Sequence, residues 1–346
     1  MKDLTKGNIY KTFLLFSVPM ILAGFLSQAY QIIDTVIAGK FLDAHGLAAI
    51  GSTSSYISFI NFLFWGYYVG FSIYIAVLFG ARKFERIKTA FITNFIVGSA
   101  AILLISVLSV TFRNPIFDLL RVNSEYRSDA ETYFVIYMLG LFVVMGNNYG
   151  LYALNSFGIG SFPLLMSAVS TVVHIVGNIV AVKYLNAGVA GLAYSSIISA
   201  LIVDVLYYIK VSGCFKEMGV GKNAKMFDLS SLKGSFRYSL PNTFQQGIMY
   251  FASFIISPIV NGIGTSATAA YTVVNRVYEF DAGIYGNASK CVSNYTAQSM
   301  GAKKVRKPEK GRWRWLSSML WCCFAGNSPR MYICKGNMSV LLSCRI

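Results

Sequence analysis

Asp34 is the residue with the most chemistry to offer. It stands well inside an otherwise apolar run, residues 12–38. A carboxylate at such a position is costly unless it faces a cavity or a partner, so acids of this kind are expected to serve ion or substrate movement. It could exchange a proton. Gln28, Gln31 and Thr35 extend a polar stripe beside it at helical spacing, and Tyr30 lies one turn before it. The alternative is a hydrated Asp34 at the outer interface, capping the next segment. His174 is a second group able to relay protons, against a neutral, hydrogen-bonded role between helices. Asp204 is expected to reach an interface. Arg276 and Glu279, with Asp281 nearby, are close enough to neutralise one another, and a substrate or coupling role is the second reading. Tyr67 and Tyr68 are candidates to line a path for flat cations.

Helices must carry these groups. Hydrophobic residues make up 55% of the 346-residue chain and charged residues 13%, far from the composition of a soluble domain. Apolar runs at 12–38, 47–79, 90–112, 130–153, 162–185, 188–212, 236–262 and 267–299 are each long enough to cross a bilayer. The chain is therefore expected to be an all-α polytopic membrane protein. The first run is too long for a signal peptide and carries three polar residues at Gln28, Gln31 and Asp34.

A net charge of +16 raises the question of nucleic acid, and the placement of the charges excludes it. Lys2, Lys6 and Lys11 precede the first run; Arg82, Lys83, Arg86 and Lys88 follow the second. Lys216, Lys222, Lys225 and Lys233 lie between the sixth and seventh, and Lys303, Lys304, Arg306 and Lys307 follow the eighth. Basic residues on alternate loops place the N-terminus and the 213–235 stretch in the cytoplasm, in a multi-pass protein of the cytoplasmic (inner) membrane. The six cysteines form no Cys-x-x-Cys pair, and a structural metal is not expected. No phosphate-binding loop or nucleophile–base set is present, so neither an enzyme nor a cofactor is expected.

The chain also repeats itself. Ser17-Val18-Pro19 returns as Ser239-Leu240-Pro241 at an offset of 222, and Gly80-Ala81-Arg82-Lys83 returns as Gly301-Ala302-Lys303-Lys304 at 221. Copies running in the same direction are the pattern of a parallel repeat in a transporter. The expected organisation is a six-helix N-lobe over 1–212, a cytoplasmic linker over 213–235, and two helices of a C-lobe over 236–304. The tail, 305–346, holds three of the four Trp and four of the six Cys, reads as translation out of frame after about residue 304, and is expected to pack poorly. A divergent cytoplasmic tail is the alternative. A repeat of about 222 residues implies a full chain near 444, which makes this chain truncated.

Pro19, the run Ile33-Asp34-Thr35-Val36-Ile37-Ala38-Gly39 and Leu47-Ala48-Ala49 resemble the first hairpin of the multidrug and toxic compound extrusion (MATE) transporters. Gly188-Val189-Ala190-Gly191, followed by Ser195-Ser196-Ile197-Ile198-Ser199, is similar to their fifth-to-sixth helix turn. Asn261-Gly262-Ile263-Gly264, Ala269-Ala270-Tyr271, Asn275-Arg276 and Gln298-Ser299-Met300-Gly301-Ala302 resemble their seventh and eighth helices. The likeness covers residues 10–304. It implies a two-lobe helical bundle that exports amphipathic or cationic drugs in exchange for H+ or Na+. It also implies that Asp34 shares its cation site with Asn178 and with Ser196, where the family usually has threonine. A second acid of that site is replaced by Val182, which favours proton coupling. The implied partners are small organic cations and the lipid bilayer, and the implied state is a monomer. A related lipid-linked precursor flippase is the alternative; it should line its cavity with basic residues, and the first-lobe runs hold basic residues only near their ends, at Lys183 and Lys210. A non-functional remnant is the third reading.

Overall fold

Within lipid a backbone can satisfy its polar groups only internally, so uninterrupted apolar runs of this length must become helices. The computed structural model describes residues 3–4, 9–42, 44–120, 122, 124–221, 225–263, 286–287 and 289–303. Its helices are α1 (Ile9–Phe41), α2 (Ala44–Gly80), α3 (Phe84–Thr111), the short α4 (Arg113–Leu119), α5 (Arg127–Ser156), α6 (Ser161–Ile179), α7 (Gly188–Glu217) and α8 (Leu229–Ile263). A further helical segment covers 289–301. Seven of the eight expected spans fall, within one residue, on α1, α2, α3, α5, α6 with its extension, α7 and α8. The tail after 303, with its expected aberrant packing, lies outside the described residues.

The bundle is polar inside and greasy outside. On α3, Thr93, Asn94, Ser99, Ser106 and Ser109 are buried, while Leu103, Leu104, Val107 and Leu108 are exposed. On α7, Ile198, Leu201, Ile202, Val205 and Ile209 form the same kind of exposed stripe. Water would penalise such a belt and lipid does not, while small polar residues between helices permit close approach and hydrogen bonds. This is a multi-pass membrane protein. At one end, Arg127 pairs with Asp118 at 2.9 Å and Arg113 with Glu131, tying α4 to α5. At the other, Lys88 Nζ donates to the Gly221 carbonyl at 2.7 Å, holding the start of the α7–α8 connection against α3.

The N-lobe core is aromatic. Tyr68 is fully buried, meets Tyr149 edge-on at 4.9 Å between centroids, and donates to the Met145 carbonyl at 3.1 Å. Tyr67 donates to Asn94 Oδ1 at 2.8 Å. The expectation that these two tyrosines face a cation path is corrected: their hydroxyls are committed to α3 and α5, and their rings fill the lobe interior.

The repeat becomes visible where the lobes touch. At the 221-residue offset, Val77 corresponds to Gln298 and Gly80 to Gly301. Gly80 packs on the Gln298 carbonyl, and Gly301 packs on the Val77 carbonyl. Ala76 and its counterpart Ala297 are buried in one cluster with Ile73. A contact that is its own reciprocal marks a twofold axis. Here α2 crosses the 289–301 helix about a local axis, and the two glycines are required because a Cβ on either would collide with backbone. Gly66 and Gly70, one turn apart, likewise admit the α8 backbone beside Asn242 and Ser239.

Candidate functional site

The turn after α6 sets up the first group of side chains. α6 ends in a π-helical turn, Val180–Tyr184, a widened form that often accompanies functional sites. Asn186 and Gly188 then adopt φ of 49° and 53°, a left-handed conformation that asparagine and glycine tolerate. The chain reverses, and α7 returns along α6 with Ser196 opposite His174. His174 and Asn178 are one turn apart and both buried. The Ser196 hydroxyl donates to the Leu192 carbonyl at 3.0 Å, which leaves its oxygen to accept from His174 Nε2 at 2.9 Å. With the proton on Nε2, His174 Nδ1 accepts from Asn178 Nδ2 at 3.3 Å. These directions assign the imidazole to the neutral Nε2–H tautomer. Asn178, His174 and Ser196 thus form one chain of bonds between two helices.

Asp34, Tyr30 and Gln31 lie on α1, and their side chains are outside the described residues, as are Arg276 and Glu279 altogether. Val182 is buried in the π turn with Leu192. Asp204 lies two turns beyond Ser196 on α7. Its carboxylate does not stand free at an interface: Oδ1 is buried without a hydrogen-bond partner among the described residues, and Oδ2 lies against Gly146 of α5, 2.7 Å from where a Cβ would be.

The second group lies on the axis between the lobes. Ser72 Oγ donates to Asn294 Oδ1 at 2.9 Å, Gln298 Nε2 donates to the Ser156 carbonyl at 2.6 Å, and Gln298 Oε1 accepts from the Leu4 amide at 3.1 Å. These bonds latch the part of the seam that runs from Asn294 to Gly301. Lys290 lies one turn before Asn294 and about three turns before Gly301. Its Nζ sits 4.3 Å from the centre of the Trp65 ring and 5.5 Å from that of Tyr152, and donates to Asn287 Oδ1 at 3.2 Å. No carboxylate lies within ion-pair distance of it among the described residues.

The MatE family profile matches residues 19–180, which takes in α1 to α6. Over this stretch, just under half of the chain, the sequence is similar to the MATE family. The chain is 24% identical over 315 residues to a probable multidrug resistance protein, YoeA, of Bacillus subtilis, covering 87% of this chain and 66% of the relative. It is 23% identical over 281 residues to the multidrug export protein MepA of Staphylococcus saprophyticus, covering 80% and 61%. The chain therefore spans just under two thirds of the length of these curated relatives. In three dimensions it is similar to an outward-facing multidrug resistance MATE transporter, with a TM-score of 0.83, 20% identity, and coverage of 91% of this chain and 70% of that one. The fold is the two-lobe MATE bundle, with six long N-lobe helices and part of the C-lobe among the described residues.

Sequence reasoning passed over Lys290. The signal was of the same kind as for Asp34, an isolated charge in an apolar run. The search for basic residues was confined to the first lobe, and Lys290 is in the second.

Proposed function

We propose that the protein exports amphipathic organic compounds across the cytoplasmic membrane by alternating access, driven by the return of a cation, H+ or Na+. The observation that carries this is the seam. Two repeat-related helices cross on a local axis, and a small set of side-chain hydrogen bonds closes one end of it. Bonds such as Ser72–Asn294 and Gln298–Ser156 each contribute roughly 0.5–1.5 kcal/mol, so a rocking motion of the lobes can break and remake them. The loop charges support a cytoplasmic N-terminus, and with that orientation the latched end is the cytoplasmic one. The names of the relatives, multidrug resistance and multidrug export, support the substrate class.

Asp34, with Asn178 and Ser196, is the proposed coupling site, and Tyr30 and Gln31 flank it. The neutral His174 would hold Asn178 and Ser196 in register while Asp34 exchanges the cation. The absence of an acid at Val182 leaves few anionic oxygens for Na+ and favours H+.

The test is export itself. Efflux-deficient cells expressing the chain should accumulate less norfloxacin or ethidium than cells without it. Asp34→Asn should abolish export driven by a pH gradient while membrane insertion stays intact. Equal accumulation with and without the chain removes the export reading; unchanged export by Asp34→Asn removes Asp34 from the coupling step.

A further inference from the structure

Lys290 occupies a place on the local axis that its counterpart in the other lobe fills with an apolar side chain. The void between the lobes is lined by Val69, Ser72 and Ile73 of α2, Tyr152 of α5, and Lys290, Ser293 and Asn294. At the 221-residue offset these form three equivalent pairs, Val69 with Lys290, Ser72 with Ser293, and Ile73 with Asn294. A void walled by equivalent residues from both lobes lies on the axis. In a two-lobe transporter with parallel repeats the axis runs along the membrane normal, and the substrate site lies beside it near the midplane. The depth agrees. Lys290 precedes Gly301, at the latched end, by three helical turns, or about 16 Å, close to half the thickness of the hydrocarbon core.

The chemistry around Lys290 is that of an amine held without a counter-ion among the described residues. An intramembrane lysine is normally paired with an acid or marks a substrate path. Among the described residues its neighbours are the Trp65 and Tyr152 rings and the Asn287 amide oxygen, all neutral. Two aromatic faces stabilise an ammonium more weakly than a carboxylate does in a dry site. An arriving anion would therefore draw Nζ away from the rings and free the Trp65 face for a flat group. In this state the lining side chains close on one another and leave no room for a water molecule, so a ligand group enters only when the lobes part.

We propose that Lys290, with Trp65 and Tyr152, binds the carboxylate of a flat amphipathic substrate on the axis between the lobes. The site rests on the export reading and narrows it, since it selects zwitterionic or acidic aromatic compounds over simple cations. The purified full chain can be titrated with norfloxacin, which carries a carboxylate, and with its methyl ester, which does not. Wild type should bind the acid at least tenfold more tightly than the ester. Lys290→Met should abolish that preference through a loss of acid binding of at least tenfold, with near-native thermal unfolding reporting that the variant is folded, and Lys290→Arg should retain the preference. Equal binding of acid and ester by wild type, or an equal loss of both in Lys290→Met, overturns the site and leaves export standing. If wild type binds neither compound, and export in cells is also absent, the export reading falls and the site with it. A short-chain phosphatidate bound in a Lys290-dependent manner, with no preference for the acid over the ester, would replace the carboxylate by a lipid phosphate and overturn the assignment.

Discussion

Ser196 has two duties at once, and its replacement should separate them. Its hydroxyl hydrogen goes to Leu192 and its oxygen takes the proton of His174 Nε2. Ser196→Ala leaves that buried N–H without its acceptor, a loss of about 1–3 kcal/mol. Ser196→Thr keeps a hydroxyl at the same place and should cost much less. Thermal unfolding of the detergent-purified variants decides this, and equal melting of alanine, threonine and wild-type proteins would sink the bond chain. Family likeness made Ser196 and Asn178 readable from residue type alone. Their dependence on His174 was not, because it requires the π turn and the left-handed pair Asn186 and Gly188 to set the rotation of α7. Tyr67 and Tyr68 were misread for a related reason: a tyrosine in an apolar run can face a pore or a lobe interior, and periodicity does not say which. Lys290 was readable, since its charge stands out against the apolar run around it.

At the scale of the elements, the helices were legible almost to the residue because apolar length decides them in a membrane. Their joints depend on finer chemistry. Asp228 caps α8: its carboxylate accepts from the Ser231 hydroxyl at 2.6 Å and the Ser231 amide at 2.8 Å, and from the Ser230 amide at 3.3 Å. These donors, the Ser231 hydroxyl first, hold its carboxyl below the usual carboxylate range. A depressed value means that the charged cap contributes its full stability above about pH 4, the ordinary value, and loses it as pH falls through the depressed one. Asp228→Ala should cost about 1 kcal/mol at neutral pH and Asp228→Asn only a few tenths. Amide hydrogen exchange over the first turns of α8 reports this locally. Faster exchange is expected in the alanine variant and near-native rates in the asparagine one, and identical rates in all three would count against the cap.

For the whole molecule, the repeat carried the architecture and the seam carries the motion. From sequence alone the two copies could be aligned, but nothing in that alignment says where they meet. The structure places the meeting at Ala76 with Ala297 and at the reciprocal glycines, because only alanine and glycine let two helices of opposite lobes approach so closely at that end. If export proceeds by alternating access, this contact must open once in every cycle. Ser72 and Asn294 are one residue removed from exact equivalence and are already bonded at 2.9 Å across the seam. A disulfide between Ser72→Cys and Asn294→Cys, made in a background lacking all six native cysteines, should therefore hold the latched end shut. Export of norfloxacin should stop on oxidation and return on reduction, while either single cysteine variant responds to neither treatment. Export that continues at the reduced rate through a fully cross-linked protein would mean that the seam does not open, and that the path through the membrane lies elsewhere than on the axis.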